Sequence, residues 1–456
     1  MSEAHAGEAR VGGSGGVRPP EASTDVLVIG AGAGGLFTAA RLAHRGYRTL
    51  VVERLGKVGG RASTDDIDGF KVNNGAIVIE TGGITEQTCR QVGAAFDVRE
   101  PHPPLLYRIG GKDVDVTGGG WGFLLSKLTR QGAKLLSGLG AARSSEGLPD
   151  GELSTADWVR KFTRNESVQG IFRNMCGSVF AVSADELPAR VFLTYFTRKS
   201  AFKRFGFHPE GTIGLWRALA EVVTRHGGQV RLNTEVESLA VVDGQVTEAV
   251  LRPADGTPEV VRARVVVSDI GPAATVRLTG PEAFGPEYLA DVKRADRPAA
   301  MISVNFASQE RLIDVPGMLS FAVTRRLAYM ANFTDLCPEM APPGWNLYVA
   351  AGVPRPSVGD FDQAAETGQL FADIDDVIPG FGTRARVLST VVSRDDWPPQ
   401  RAVAGFDLAP ATPIPNLWNV GDGVKEYANG GTTACAETAQ LVAGQIVEGL
   451  SARVPA

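Results

Sequence analysis

The residues with the clearest chemistry are Gly30, Gly32 and Gly35, spaced G-x-G-x-x-G, with Glu53 downstream. Such spacing suits a diphosphate. Gly30 permits a tight turn, Gly32 lets the backbone approach a pyrophosphate, and Gly35 lets a helix pack closely on a strand. A helix opening at this turn, which also holds Ala31, Ala33 and Gly34, would present unpaired N–H groups and the positive end of its dipole to the phosphates. Glu53 would accept hydrogen bonds from the adenosine ribose. Its charge disfavours the 2′-phosphate of NADP but does not separate FAD from NAD.

These residues need a particular scaffold, and the flanking sequence supplies it. Val26 to Ile29 is an all-apolar run, as expected of a strand buried on both faces of a parallel sheet. Leu36 to His44 has helical periodicity, Gly46 stands where a helix would stop, and Thr49 to Val52 reads as a second strand. Strand, glycines, helix, strand and acid occur in order, which is the full signature of a dinucleotide site. A tight turn in an unrelated α/β fold would leave Glu53 unexplained.

Further along, the texture changes. Trp121 to Leu139 reads as a basic, Leu-rich helix, able to touch a membrane surface but more ordinarily an amphipathic packing element. Ser154-Thr-Ala-Asp157 resembles a capping box, and helices are expected to follow to about Phe205. Gly211 to His226 is helical in pattern. Val236 to Val242 and Val246 to Leu251 flank Asp243-Gly244, a hairpin signal. Strands are expected at Val260 to Val267, Met301 to Phe306, Leu319 to Val323, Trp345 to Ala351 and Leu417 to Val420. Helices are expected at Phe361 to Val377 and from Thr432 to Leu450.

The bulk numbers narrow the function classes. The chain has 456 residues, of which 43% are hydrophobic and 21% charged, a globular balance. A net charge of -5 disfavours a general nucleic-acid binder. Cys89, Cys176, Cys337 and Cys435 lie far apart, with no CxxC and no ligand spacing to histidine, so neither disulfides nor a metal site is expected. His208, just before Pro209, reads as structural. Residues 1–23 read as a disordered tail without a signal-peptide core, and no apolar run reaches the ~20 residues of a membrane span. The cytoplasm is the expected compartment.

Glu53 is followed by Arg54-Leu-Gly-Lys-Val-Gly59-Gly60-Arg61. The whole run from Val26 to Ser63 resembles the FAD signature of the amine oxidase and phytoene dehydrogenase superfamily. Other segments are similar too: Phe207 to Gly211, Leu232 to Val236, Val265 to Pro272, and Asn416 to Asp422. The resemblance implies non-covalent FAD, with Gly59 and Gly60 passing close to it and Arg61 approaching its phosphate-flavin region. It further implies that Val236 touches adenine through its backbone and that Gly421-Asp422 reaches the ribityl chain or phosphate. The helix starting near Thr432 and Thr433 would aim its N-terminus at the flavin pyrimidine edge, stabilising the charge that builds there on reduction.

The implied fold is α/β: a Rossmann-type FAD-binding domain (24–101, 208–298 and 385–454) interleaved with an α+β substrate domain (102–207 and 299–384). Within the superfamily, amine oxidases place two aromatic rings before the flavin. Trp397 could be one; the other position maps to about Gly431, and Tyr427 is a poor substitute. The glycines favour the phytoene dehydrogenase-like branch. The expected reaction passes a hydride to flavin N5 and removes a proton from the neighbouring carbon of a small or medium apolar, cyclic or carbonyl-bearing substrate. Lys425, Glu426 and Tyr427 are candidates for the base, and Trp397 for a pocket wall. The electron acceptor, O2 or another, stays open. Rival readings are an amine or porphyrinogen oxidase, a flavoprotein isomerase, and a non-enzymatic nucleotide-binding module.

Overall fold

The computed structural model describes residues 21–115, 148–149, 151–197 and 204–451. The expected basic helix over 121–139 lies outside them. Two seven-stranded sheets organise the described residues.

The first sheet is built around the strand Glu21–Ile29, which lies between two parallel neighbours, Thr49–Val52 and Glu259–Ser268. Val26, Leu27 and Val28 have no exposed surface, which explains their unbroken apolar run. This strand starts earlier than its sequence suggests. Residues 21–23, expected in a tail, pair with Val260, Val261 and Arg262. Glu-Ala-Ser carries no apolar signal of its own; a partner strand far along the chain orders its backbone.

The order continues outward through Gln229–Arg231 on one side and through the hairpin Thr234–Val242 and Gln245–Pro253 on the other. Asp243 and Gly244 take positive φ, 51° and 72°, as a two-residue hairpin turn demands. Leu417–Asn419 adds in parallel beside the end of Glu259–Ser268.

Three helices cover this sheet near the glycine turn. Ala33–His44 packs against both Ile213–Arg225 and Gly431–Ser451. Phe37 meets the wholly buried Trp216 edge-to-face, with ring centroids 5.6 Å apart. The Trp216 indole N–H donates to the Ala62 carbonyl at 2.6 Å, so its one polar atom is satisfied.

The second sheet runs Arg386–Ser393, Met301–Ser308, Asn346–Gly352, Leu327–Asn332, Met318–Phe321, Leu105–Ile109 and Lys112–Asp115. It is antiparallel except between Met318–Phe321 and Leu105–Ile109. Arg386–Ser393 pairs with Met301–Ser308, so the expected boundary at 384/385 falls ahead of a strand belonging to this sheet. The helix Glu166–Phe180 lies on the sheet through Gly170, where any Cβ would run into the Ala322 carbonyl. The expected cap at Ser154 is present, its hydroxyl accepting from the Asp157 N–H at 3.0 Å.

Asp362 caps Gln363–Val377 in the same manner, accepting from Ala365 N–H at 3.0 Å. Replacing Asp362 by Ala should cost about 1 kcal/mol, read as a lower urea midpoint. An unchanged midpoint would contradict this role.

Candidate active site

The glycine turn, the ends of the parallel strands and the start of the last helix border one cavity of about 870 Å³. It opens at the carboxyl ends of the first sheet's strands, where α/β folds hold ligands. Its size is within the roughly 300–1,000 Å³ of small-molecule and cofactor pockets.

At the nucleotide end the geometry follows from backbone bonding. Gly30 N–H donates to Val52 O at 2.8 Å, tying the turn to the second strand. The Glu53 carboxylate accepts from Ala31 N–H at 2.8 Å and Leu55 N–H at 2.9 Å, so both its oxygens are fixed at the strand end. Gly59 N–H donates to Ala31 O at 2.8 Å, laying the second glycine segment across the first. A Cβ on Gly59 would stand 2.5 Å from the Trp216 ring, and its φ of 97° already requires glycine. A Cβ on Gly35 would strike Gly30 O, so here glycine is needed for close packing, as the spacing implied.

Of the expected cofactor residues, Gly30, Gly32, Ala33, Glu53, Arg54 and Val236 line this end of the cavity. Gly59, Gly60 and Arg61 line its middle, with Asp422, and Thr432 and Thr433 line the far wall. Ala31, Gly34, Gly35 and Gly421 form the layer behind, shaping the turn rather than facing the space.

Arg61 does not extend freely toward a phosphate. Its guanidinium grips Asp422 with both nitrogens and donates to the Pro398 carbonyl at 2.9 Å. Burial alone would raise the Asp422 carboxyl; the Arg61 charge and hydrogen bond override it and hold the group well below the usual carboxylate range. Asp422 also accepts from Arg401 N–H at 2.9 Å. Arg401 lines the cavity with its Nε unpartnered, and burial followed by repulsion from Arg61 pulls it down to about 10.

The final helix begins at Gly431, whose φ is 64° and whose Cβ direction meets nothing within 4 Å. A ring expected there in an amine oxidase has no counterpart, and the space stays open. Thr433, in the first turn, donates its hydroxyl to Glu80. Glu80 comes from the short strand Ile79–Thr81, is 8% exposed and lines the cavity.

Beyond Glu80 the walls become apolar and aromatic: Ile77, Val78, Met175, Tyr195, Phe196 and Tyr329. Burial pushes the Tyr195 phenol up to about 12, with the Glu80 charge acting in the same direction, so the hydroxyl stays protonated.

The structure brings Trp397 into this cavity wall but keeps the three candidate bases, Lys425, Glu426 and Tyr427, out of it. Lys425 has no exposed side-chain surface. Its ammonium donates to Ala402 O at 2.9 Å and Asp422 O at 2.8 Å. It also stands 2.8 Å from Asp407 Oδ1 as an ion pair whose angle makes no hydrogen bond. Lys425 is therefore a buried tie, not a base. Tyr427 is 37% exposed and packs near Gly405, away from the cavity lining. Sequence reasoning missed Glu80, Asp269 and Arg401. Two had a signal: Glu80 is the one charge in Ile77-Val-Ile-Glu-Thr81, and Asp269 ends the apolar strand Val265-Val-Val-Ser268.

Among the described residues no cluster could hold a metal ion, no helix is long and apolar enough to cross a membrane, and all four cysteines are free and buried.

A Rossmann-type nucleotide site opening into an apolar chamber is the architecture of an FAD-dependent oxidoreductase, and comparison with known proteins agrees. The family model for flavin-containing amine oxidoreductases matches residues 33–447, and the chain belongs to that family. It is similar to the neurosporene-forming phytoene desaturase of Rhodobacter capsulatus, 29% identical over 288 residues, 53% of this chain and 52% of that one. It thus spans about half the length of that relative. The lycopene-forming phytoene desaturase of Pseudescherichia vulneris is 26% identical over 395 residues, 75% of this chain and 79% of that protein. An oxidoreductase from Methanosarcina mazei superposes with a TM-score of 0.80 at 26% identity, covering 92% of this chain and 99% of that one. The cofactor is FAD. The continuous cavity, the glycine turn without side chains and the Arg61–Asp422 pair midway fit an extended dinucleotide.

Proposed function

We propose that this enzyme removes two hydrogens from a C–C bond of a small or medium apolar substrate, cyclic or carbonyl-bearing. The observation that carries this reading is the chamber beyond Glu80, apolar and aromatic, joined to an open position at Gly431. FAD, when bound, supplies the two-electron acceptor for the substrate C–H bond.

The chain's own residues supply position and proton handling. The apolar walls exclude water and seat a carbon skeleton. Trp397 closes one side. The Glu80 carboxylate takes the proton from the neighbouring carbon, with Thr433 holding it in place. The N-terminus of Gly431–Ser451 directs its positive dipole end into the cavity, favouring negative charge there. The similarity to phytoene desaturases supports the same bond type, and the electron acceptor is left open between O2 and another oxidant.

Glu80 also favours a second reading, an amine oxidase, because a buried carboxylate can pair with a substrate ammonium. Anaerobic mixing of the yellow enzyme with polyenes, cyclic ketones and amines separates the two. Bleaching of the flavin by the uncharged compounds is the expected result. Bleaching by amines alone would favour the second reading, and substrate conversion without bleaching would indicate an isomerase.

A further inference from the structure

Asp269 follows the strand Glu259–Ser268, whose last four residues are buried, and enters a hollow where the glycine turn has no side chains. Its backbone N–H donates to Ile29 O at 2.8 Å, which fixes the residue at the mouth of the first strand. A methyl group on Gly34 or Gly421 would lie 2.5 or 2.6 Å from Asp269 Oδ1, and one on Gly32 would collide with Oδ2. The carboxyl therefore sits in the concavity that these glycines create, at the N-terminus of Ala33–His44, and it accepts from Gly35 N–H. It also lines the cavity. This helix end attracts anions, and the diphosphate of FAD is the anion the turn is shaped for. The structure thus places a carboxyl beside a site for a doubly charged diphosphate.

We infer that Asp269 is an FAD-binding residue that accommodates the diphosphate as a neutral carboxylic acid, so that the protein takes up a proton with FAD and holds it less tightly as pH rises.

The charges around Asp269 can be named element by element. From the glycine turn there are only N–H groups. Arg61 approaches from the second glycine segment, Arg401 from the loop before Asp422, Asp422 from the loop after Leu417–Asn419, and Cys435 from the last helix. Of the two cations that act on Asp269, Arg61 is committed to Asp422, and Arg401 has its Nε unpartnered to offset further negative charge. Part of the Asp269 surface opens onto the cavity, yet protein encloses the carboxyl closely enough that burial pushes it up to about 7. The Gly35 N–H and the Arg61 charge act in the opposite direction and do not overcome it.

The sign follows from linkage. A bound diphosphate adds negative charge and removes water, and both raise the Asp269 carboxyl further. Below pH 7 the group is protonated with or without FAD, and affinity is flat. Above pH 7 the empty site loses the proton while the loaded site keeps it, so each pH unit weakens FAD by up to about tenfold. The diesterified diphosphate of FAD does not itself titrate there.

The test is FAD release from the diluted holoenzyme, read by flavin fluorescence from pH 6 to 9, for wild type and Asp269→Asn. The wild-type dissociation constant should be level to pH 7 and rise at least about tenfold by pH 9, whereas the Asn variant should be level throughout. A level wild-type profile, or the same slope in both proteins, would overturn the inference. Calorimetry of FAD binding to wild-type apoprotein in two buffers of different ionisation enthalpy gives an answer even if the variant does not fold. Uptake approaching one proton per FAD at pH 8 and none at pH 5.5 is expected; no uptake at pH 8 would equally overturn it.

Discussion

Replacing Gly32 by Asp should yield a folded protein that purifies without FAD. The Cβ at this position points into the Asp269 carboxyl group, so even a methyl group must displace it. An ionised carboxylate would then stand at the helix end that receives the diphosphate. One extra like charge at about 4 Å costs about 4 kcal/mol at an effective dielectric constant near 20, or roughly a thousandfold in affinity. The measurement is the ratio of flavin to protein absorbance after gel filtration, with far-UV circular dichroism to show that the sheets remain. Full occupancy in this variant would show that the turn does not receive the cofactor.

Glu80→Gln should leave FAD in place and slow flavin reduction by a substrate about 10²- to 10⁴-fold, the usual weight of a positioned base. The amide keeps the shape and the contact with Thr433 but cannot take a proton. Thr433→Val should have a smaller effect, about 1 kcal/mol or several-fold, because it loosens the carboxylate without removing it. Anaerobic stopped-flow reduction reads both. Equal rates for wild type and Glu80→Gln would remove Glu80 from the chemistry and leave the base elsewhere.

These two residues also show where the sequence was legible. Gly30 to Glu53 could be read because every part of that unit is local: strand, turn, helix and second strand follow one another within a short stretch, and each glycine answers a steric need visible in the spacing. Glu80 could not be read in the same way. Its partner, Thr433, is a distant residue, and only the fold lays Ile79–Thr81 beside the start of the last helix. Asp269 is similar, since the concavity it fills is made by Gly32 and Gly34 at the start of Ala33–His44 and by Gly421 from a distant loop.

The opposite error occurred at Lys425 and Tyr427. Closeness in sequence to Asp422 suggested that they face the cofactor. The chain turns after Asp422, and Lys425 folds back onto its carbonyl and that of Ala402, while Tyr427 leaves for the surface. An ammonium so enclosed is held by hydrogen bonds it must satisfy, which sequence spacing does not reveal. The strand Glu21–Ile29 shows the same limit in the backbone, since its first residues are ordered by Glu259–Ser268 and not by their own side chains.

The proposed role of the apolar chamber beyond Glu80 is C–C dehydrogenation by bound FAD. Mass analysis of the product formed by a compound that bleaches the flavin tests it most directly. The expected product is lighter by two hydrogens, carrying a new carbon–carbon double bond and no loss of nitrogen. A product formed instead by oxidation of an amine, with release of ammonia or an aldehyde, would contradict it.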